Sequence, residues 1–146
     1  MAQFSLHALH DEIEADPLGI GYKEQDGSWK EDQIIADLIN DPANGDVVQR
    51  NHISPQEIIE QITIDDWDAI TAAQRLYVSL LPSLPQVDAI QNGTEVRANL
   101  LTIFGPTTTT RANLIGVVQK DGSRAEVLWG EGTVISISQV GHAANL

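Results

Sequence analysis

The sequence predicts a mainly α fold, a single compact multi-helix domain over residues 1–146, on three observations. Four Ser/Thr-x-x-Glu/Gln boxes punctuate the chain: Ser28-Trp-Lys-Glu31, Ser54-Pro-Gln-Glu57, Thr71-Ala-Ala-Gln74 and Ser123-Arg-Ala-Glu126. In such a box the hydroxyl accepts from an N–H in the first helical turn, and the Glu or Gln reaches back to the cap's own N–H. Apolar residues follow at the three-and-four spacing of a buried helical face. Pro and Gly clusters then interrupt the pattern at intervals that leave room for short helices.

The first helix starts at Ser5 and runs to Ala15, with Leu6, Leu9 and Ile13 on one stripe and Asp11, Glu12 and Glu14 largely off it. A hinge, Asp16-Pro-Leu-Gly-Ile-Gly-Tyr22, ends it. Pro17 drives Asp16 away from the α region, and Gly19 and Gly21 permit positive φ, so Leu18, Ile20 and Tyr22 read as packing plugs on a sharply shaped loop. The second helix follows Ser28 and presents Ile34, Ile35, Leu38 and Ile39 before Asn40-Asp-Pro-Ala-Asn-Gly45 stops it. Val47 and Val48 form a short extended link.

Pro55, at a favourable first helical position, opens a helix carrying Ile58, Ile59 and Ile62. Thr63-Ile-Asp-Asp66 starts a short turn around Trp67 and Ile70, and Ala72 opens a helix with Leu76, Tyr77, Leu80 and Leu81 that ends at Pro82-Ser-Leu-Pro85. A short turn over Val87–Gln91 closes on Asn92-Gly93. Thr94 or Glu95 begins a helix through Leu100, Leu101, Ile103 and Phe104, stopped by Gly105 and Pro106. The run Thr107–Thr110 caps a helix with Leu114, Val117 and Val118 that Lys120-Asp-Gly122 ends, and Ser123 caps another ending near Gly130. Residues 133–137 alternate like one short extended segment, while Ser136 or Ser138 equally suits the cap of a last helix through His142, so strand and helix stay open there.

Composition removes several chemistries. There is no cysteine, which excludes disulfides, thiolate metal sites and cysteine nucleophiles. No stretch approaches the roughly 18 apolar residues of a membrane span, and the N-terminus lacks the basic and apolar regions of a leader, so a soluble, unprocessed protein with no membrane partner is expected. The net charge of −13 is uneven: residues 1–73 hold 16 acids and 3 bases, and residues 74–146 hold 5 of each. An acidic half beside a neutral one, with no Lys/Arg stripe, argues against direct nucleic-acid binding. The neutral half is the better candidate for packing against other chains.

No constellation of side chains carries chemistry convincingly. Gly19-Ile-Gly21 lacks the third glycine and the preceding strand of a phosphate loop. His7, His10 and Glu14 share a helical face of metal-ligand type without an evident fourth ligand, and read as surface or interface residues. Asp65, Asp66 and Asp68 around Trp67 lack the spacing of a calcium loop, and read as first-turn acids favoured by the helix dipole while Trp67 packs inward. Asn92-Gly93-Thr94 is a glycosylation sequon in form only and reads as a turn. No catalytic residue, cofactor, metal or small-molecule substrate is therefore expected.

Two segments together carry a resemblance. Glu14-Ala-Asp-Pro-Leu-Gly-Ile-Gly-Tyr22 resembles the N-terminal mark of small proteins encoded among the late structural genes of tailed bacteriophages. Leu100-Leu-Thr-Ile-Phe-Gly105, the Thr-rich cap, and Ser123-Arg-Ala-Glu-Val-Leu-Trp-Gly130 with Thr133-Val134 resemble that family's later motifs, in the same order. The chain departs from the pattern at Pro106 and the following threonines, where such proteins often carry Gly or Ala, and over Asp41 to Ile53, which is less basic.

The resemblance implies a non-enzymatic virion protein, assembled in the host cytoplasm, whose partners are copies of itself and other virion proteins. The resemblance itself implies no position in the virion; the place expected is the head–tail connector or the tail, including baseplate or fibre attachment. Subunits repeating around an axis need complementary faces, and on this reading Leu100, Ile103, Phe104, Val127, Leu128 and Trp129 form the assembly interface. Pro17, Leu18, Gly19, Ile20, Gly21 and Tyr22 form the structural hinge. The other reading is a small acidic intracellular inhibitor or adaptor that masks a basic protein surface.

Overall fold

A computed structural model describes residues 2–83, 87–88 and 95–146. The protein is mainly α, with helices α1 (Leu6–Ala15), α2 (Asp32–Asn40), α3 (Pro55–Glu60), α4 (Ile64–Ala69), α5 (Ala72–Ser79), α6 (Glu95–Ile103), α7 (Thr109–Val117), α8 (Arg124–Trp129) and α9 (Ile137–Ala144). Short strands β1 (Asp46–Gln49), β2 (His52–Ile53), β3 (Val87–Asp88) and β4 (Gln119–Gly122) pair two by two, β1 with β4 and β2 with β3. The second pair is antiparallel, with His52 opposite Asp88 and Ile53 opposite Val87. The turn expected over Val87–Gln91 and Asn92-Gly93 otherwise lies outside the described residues, as does Thr94.

Contacts gather into two compact units, one made of Met1–Val48 with Asp121–Leu146 and the other of Gln49–Lys120. Their boundaries differ from the division in charge at residue 73. By unit, the first holds fourteen acids and three bases, a net of −11, and the second seven acids and five bases, a net of −2.

In the first unit α1 and α2 pack on α9, and α2 also packs on α8. Leu9, Ile13, Tyr22, Ile35, Ile39, Ala125, Ile135, Val140 and Ala143 form its buried core, with Phe4 edge-on to Trp129 at 5.2 Å. Ser5 caps α1 by accepting from the Ala8 N–H. The helix ends at Asp16, the one described non-glycine residue with positive φ, at 39°. Its carboxylate accepts the N–H groups of Ile20 at 2.7 Å and Gly21 at 2.9 Å, so a side chain shapes the hinge as much as the glycines do. Of the three expected plugs, Tyr22 is fully buried and Ile20 packs on the core, but Leu18 is 60% exposed.

Ser28 does not start a helix. Asp26 captures both its N–H and its hydroxyl, at 2.9 and 2.6 Å, within a small turn closed by a Lys23–Trp29 bridge. Helix α2 therefore begins at Asp32, and Glu31 caps it without a side-chain hydrogen bond. The segment at 133–136 is not a strand either. Asn40 accepts the Ile135 N–H at 2.9 Å and donates to the Ile135 carbonyl at 2.8 Å, doing what a neighbouring strand would do. Ser136 and Gln139 then form a capping box for α9.

In the second unit Ile53, Ile58, Val78, Leu81, Leu100, Phe104 and Leu114 form the core. Ser54 and Thr71 head full capping boxes, and Thr63 and Thr108 cap α4 and α7 through their hydroxyls. Thr110, wholly buried, ties α7 to the start of α4. Its hydroxyl accepts the Thr63 N–H at 3.1 Å, and its own N–H donates to Asp66 at 2.8 Å.

Candidate interaction surface

The second unit carries an open apolar recess of about 400 Å³, lined by Ile59, Ile62, Thr63, Ile64, Trp67, Val78 and Ser79. Short elements make it. Helix α3 runs for only six residues before Thr63 starts α4, so Ile62 and Ile64 flank a sharp change of direction. Helix α5 closes the far side with Val78 and Ser79. Two of its apolar lining side chains remain in solvent: Ile64 is 78% exposed and Ile59 39%. Large apolar groups gathered at one place are the surface feature that calls for a partner.

Carboxylates accompany these residues. Glu60, Asp65 and Asp68 are exposed and alternate in sequence with the lining residues Ile59, Ile64 and Trp67. The nearby Arg75 is engaged, donating from Nε to the Trp67 carbonyl at 3.0 Å and from Nη2 to the Asp68 carbonyl at 2.9 Å. Asp66 turns inward instead. Hydrogen bonds from the Thr110 side chain, then from its backbone N–H, hold its carboxyl below the usual range. Glu57 is also committed, its carboxyl pulled down to about 2 by the Arg50 guanidinium first and then by the Ser54 N–H. The three aspartates of the Trp67 segment thus divide into one structural acid and two solvent-facing ones.

The His7, His10 and Glu14 face does not converge on one point. Glu14 accepts the Trp29 indole N–H at 2.6 Å and lies 3.5 Å from Lys23 Nζ, and the indole bond chiefly lowers its pKa. The His10 ring stacks at a tilt, 5.5 Å from Trp29. Among the described residues no group of three His, Asp or Glu side chains is placed to hold a metal, and no helix is long and apolar enough to cross a membrane.

The six residues expected to form an interface are divided between the two units. Leu100 and Phe104 are buried in the core of the second unit, and Ile103 packs against it. Val127, Leu128 and Trp129 are half-buried in the first unit, Trp129 against that unit's core. Leu100 and Phe104, at 7% and 0% exposure, contribute to the packing of their own unit.

Ile59, one of the recess residues, is hard to assign from sequence because it sits in an apolar doublet. In Ile58-Ile59 only Ile58 turns to the core, and in Ile34-Ile35 only Ile35 does. An apolar pair on a short helix leaves one member outside, and that is the readable signal. No family model, curated protein or solved structure matches this chain.

Proposed function

We propose that the protein is a structural subunit of a tailed-phage virion, placed in the head–tail connector or the tail, including baseplate or fibre attachment, and acting by protein–protein assembly without catalysis. The observation that supports assembly most directly is the apolar recess of the second unit, with the lining residues Ile59 and Ile64 left in solvent. The phage reading itself is supported by the ordered motifs. Their residues have structural work: Ser123 caps α8, Arg124 pairs with Glu12, and the hinge from Asp16 delivers Tyr22 to the core. On this reading the partners are copies of the chain and other virion proteins. Mass spectrometry of purified particles tests it: the protein is expected at a fixed copy number, and its absence from intact particles removes the proposal.

One observation favours a second reading, an acidic adaptor that masks a basic protein surface: the first unit alone carries a net charge of −11. Such a complex weakens steeply with salt, whereas an assembled particle contact of apolar character does not.

A further inference from the structure

We infer that the recess between α3, α4 and α5 is the docking groove for an amphipathic helical segment of a different protein, one with an apolar ridge flanked by lysine or arginine. This rests on the assembly reading only in taking the recess for a protein-binding face, and is independent of where the protein resides.

The size and lining of the recess set the ridge. About 400 Å³ floored by Ile62, Trp67 and Val78 accepts a few aliphatic or aromatic side chains, the scale of a helix presenting anchors at i, i+3 or i+4, and i+7. Ile64, standing 78% exposed at its edge, supplies a side chain that such a ridge would cover. Charge sets the flanks. Glu60, Asp65 and Asp68 stand exposed beside the lining residues, and from His52 to Gln74 the sequence contains no lysine or arginine. A bound helix with cations on either side of its ridge meets carboxylates, and an acidic helix is repelled.

The same charges argue against a second copy. The chain has a net charge of −13. Its own amphipathic helices α1 and α2, LHALHDEIEA and DQIIADLIN, carry acids and no lysine or arginine. Among the chain's eight basic residues, Lys23 is engaged at Glu14, Arg50 at Glu57, Arg75 at the end of α4, Arg111 at the Leu101 carbonyl and Arg124 at Glu12.

The test is a titration of the full chain, isotope-labelled at its isoleucine δ-methyl groups, with a synthetic helical peptide of about four turns carrying leucines on one face and lysines beside them. The methyl signals of Ile59, Ile62 and Ile64 are expected to shift together. Replacing the peptide's lysines by glutamate, or its leucines by serine, is expected to weaken binding at least about tenfold. Ile64→Ser is expected to do the same while leaving the helical circular dichroism unchanged, and Ile59→Ser provides a second variant should that one unfold. Neutralising Glu60, Asp65 and Asp68 together to Gln, Asn and Asn is expected to flatten the salt dependence.

The inference falls if the three methyls do not respond. It also falls if Ile64→Ser binds as tightly as the parent, which would place the peptide on the acids of the first unit. Self-association of the parent that Ile64→Ser abolishes would assign the groove to a second copy and overturn it equally. Absence of the protein from particles would remove the virion reading without touching any of these outcomes.

Discussion

Arg124 and Glu12, 112 residues apart, meet as a fork: Nε donates to Oε1 at 2.7 Å and Nη2 to Oε2 at 3.1 Å. Their side chains are only 13% and 7% exposed, so the pair joins the end segments of the first unit where water screens little. A buried pair is costly to break from one side, because the surviving charge keeps its desolvation penalty. Arg124→Ala is expected to destabilise the chain by about 3–5 kcal/mol in urea unfolding. Arg124→Lys loses less, keeping the charge without the fork. Replacing both residues by leucine is expected to recover most of the loss, and a double variant as weak as Arg124→Ala would show that the pair is more than a matched charge.

Gly45 and Gly122 are small for reasons of space. A Cβ on Gly45 would overlap the Gly122 carbonyl oxygen, and one on Gly122 would come within 2.6 Å of the Val48 side chain. Gly45→Ala is expected to cost about 3 kcal/mol, since the obstacle is backbone and cannot turn aside. Gly116, inside α7 with nothing within 4 Å of its would-be Cβ, is the contrast. Gly116→Ala is expected to stabilise by about 0.5–1 kcal/mol through helix propensity. Thermal melts of the two variants should move in opposite directions.

Tyr22 is buried with its hydroxyl making no hydrogen bond to any described protein group. Burial first, and then the Glu12 and Asp16 carboxylates, push its ionisation well above the ordinary 10. Tyr22→Phe is expected to be neutral or to stabilise by up to about 1 kcal/mol, because the hydroxyl lost was unpaired. The sign with pH is fixed: above about pH 10 the unfolded chain releases this proton while the folded one keeps it, so stability falls as pH rises. Tyr22→Phe should lessen that alkaline loss. A cost above about 1 kcal/mol at neutral pH would reveal a partner for the hydroxyl.

Glu57 gives the acid limb. Its folded carboxyl titrates at about 2 against an ordinary 4.5, mainly because of Arg50. The stabilisation is therefore present above the ordinary value and is lost as pH falls from about 4.5 to about 2. Glu57→Gln keeps a capping side chain opposite Ser54 but cannot ionise. Urea midpoints measured from pH 5 downward should fall less steeply for this variant than for the parent, and parallel curves would exclude Glu57 as a contributor.

What the sequence made legible is local. Ser54, Thr71 and Ser123 cap helices as their boxes predict, because each box closes within four residues. Ser28 fails for an equally local reason, since Asp26 reaches it first. What stayed hidden depends on distant partners. Glu12, placed off the apolar stripe of its helix, is buried because Arg124 comes to it. Ile135 alternates like a strand residue, yet its backbone partner is the side chain of Asn40, 95 positions away. Thr110 and Asp66 are joined across 44 positions. The recess was hidden differently: helical spacing marks Ile58 and Ile59 alike as apolar, and only the packing of α3 decides that Ile59 faces out.

The first unit is drawn from two segments on either side of the second in sequence, and this sets an order on the ribosome. Helices α1 and α2 are made before Gln49–Lys120, and the helices they pack on, α8 and α9, after it. The whole of Gln49–Lys120, on the order of 70 residues, is made in between. At about 5–20 residues per second that is a wait of roughly 4–14 s with Leu9, Ile13, Ile35 and Ile39 uncovered. Residues 1–48 carry eleven acids and two bases, so nascent chains on neighbouring ribosomes repel one another while they wait. The acidity of residues 1–48 is thus expected to act before any partner arrives, opposing at short range the sticking of one unfinished half-core to another.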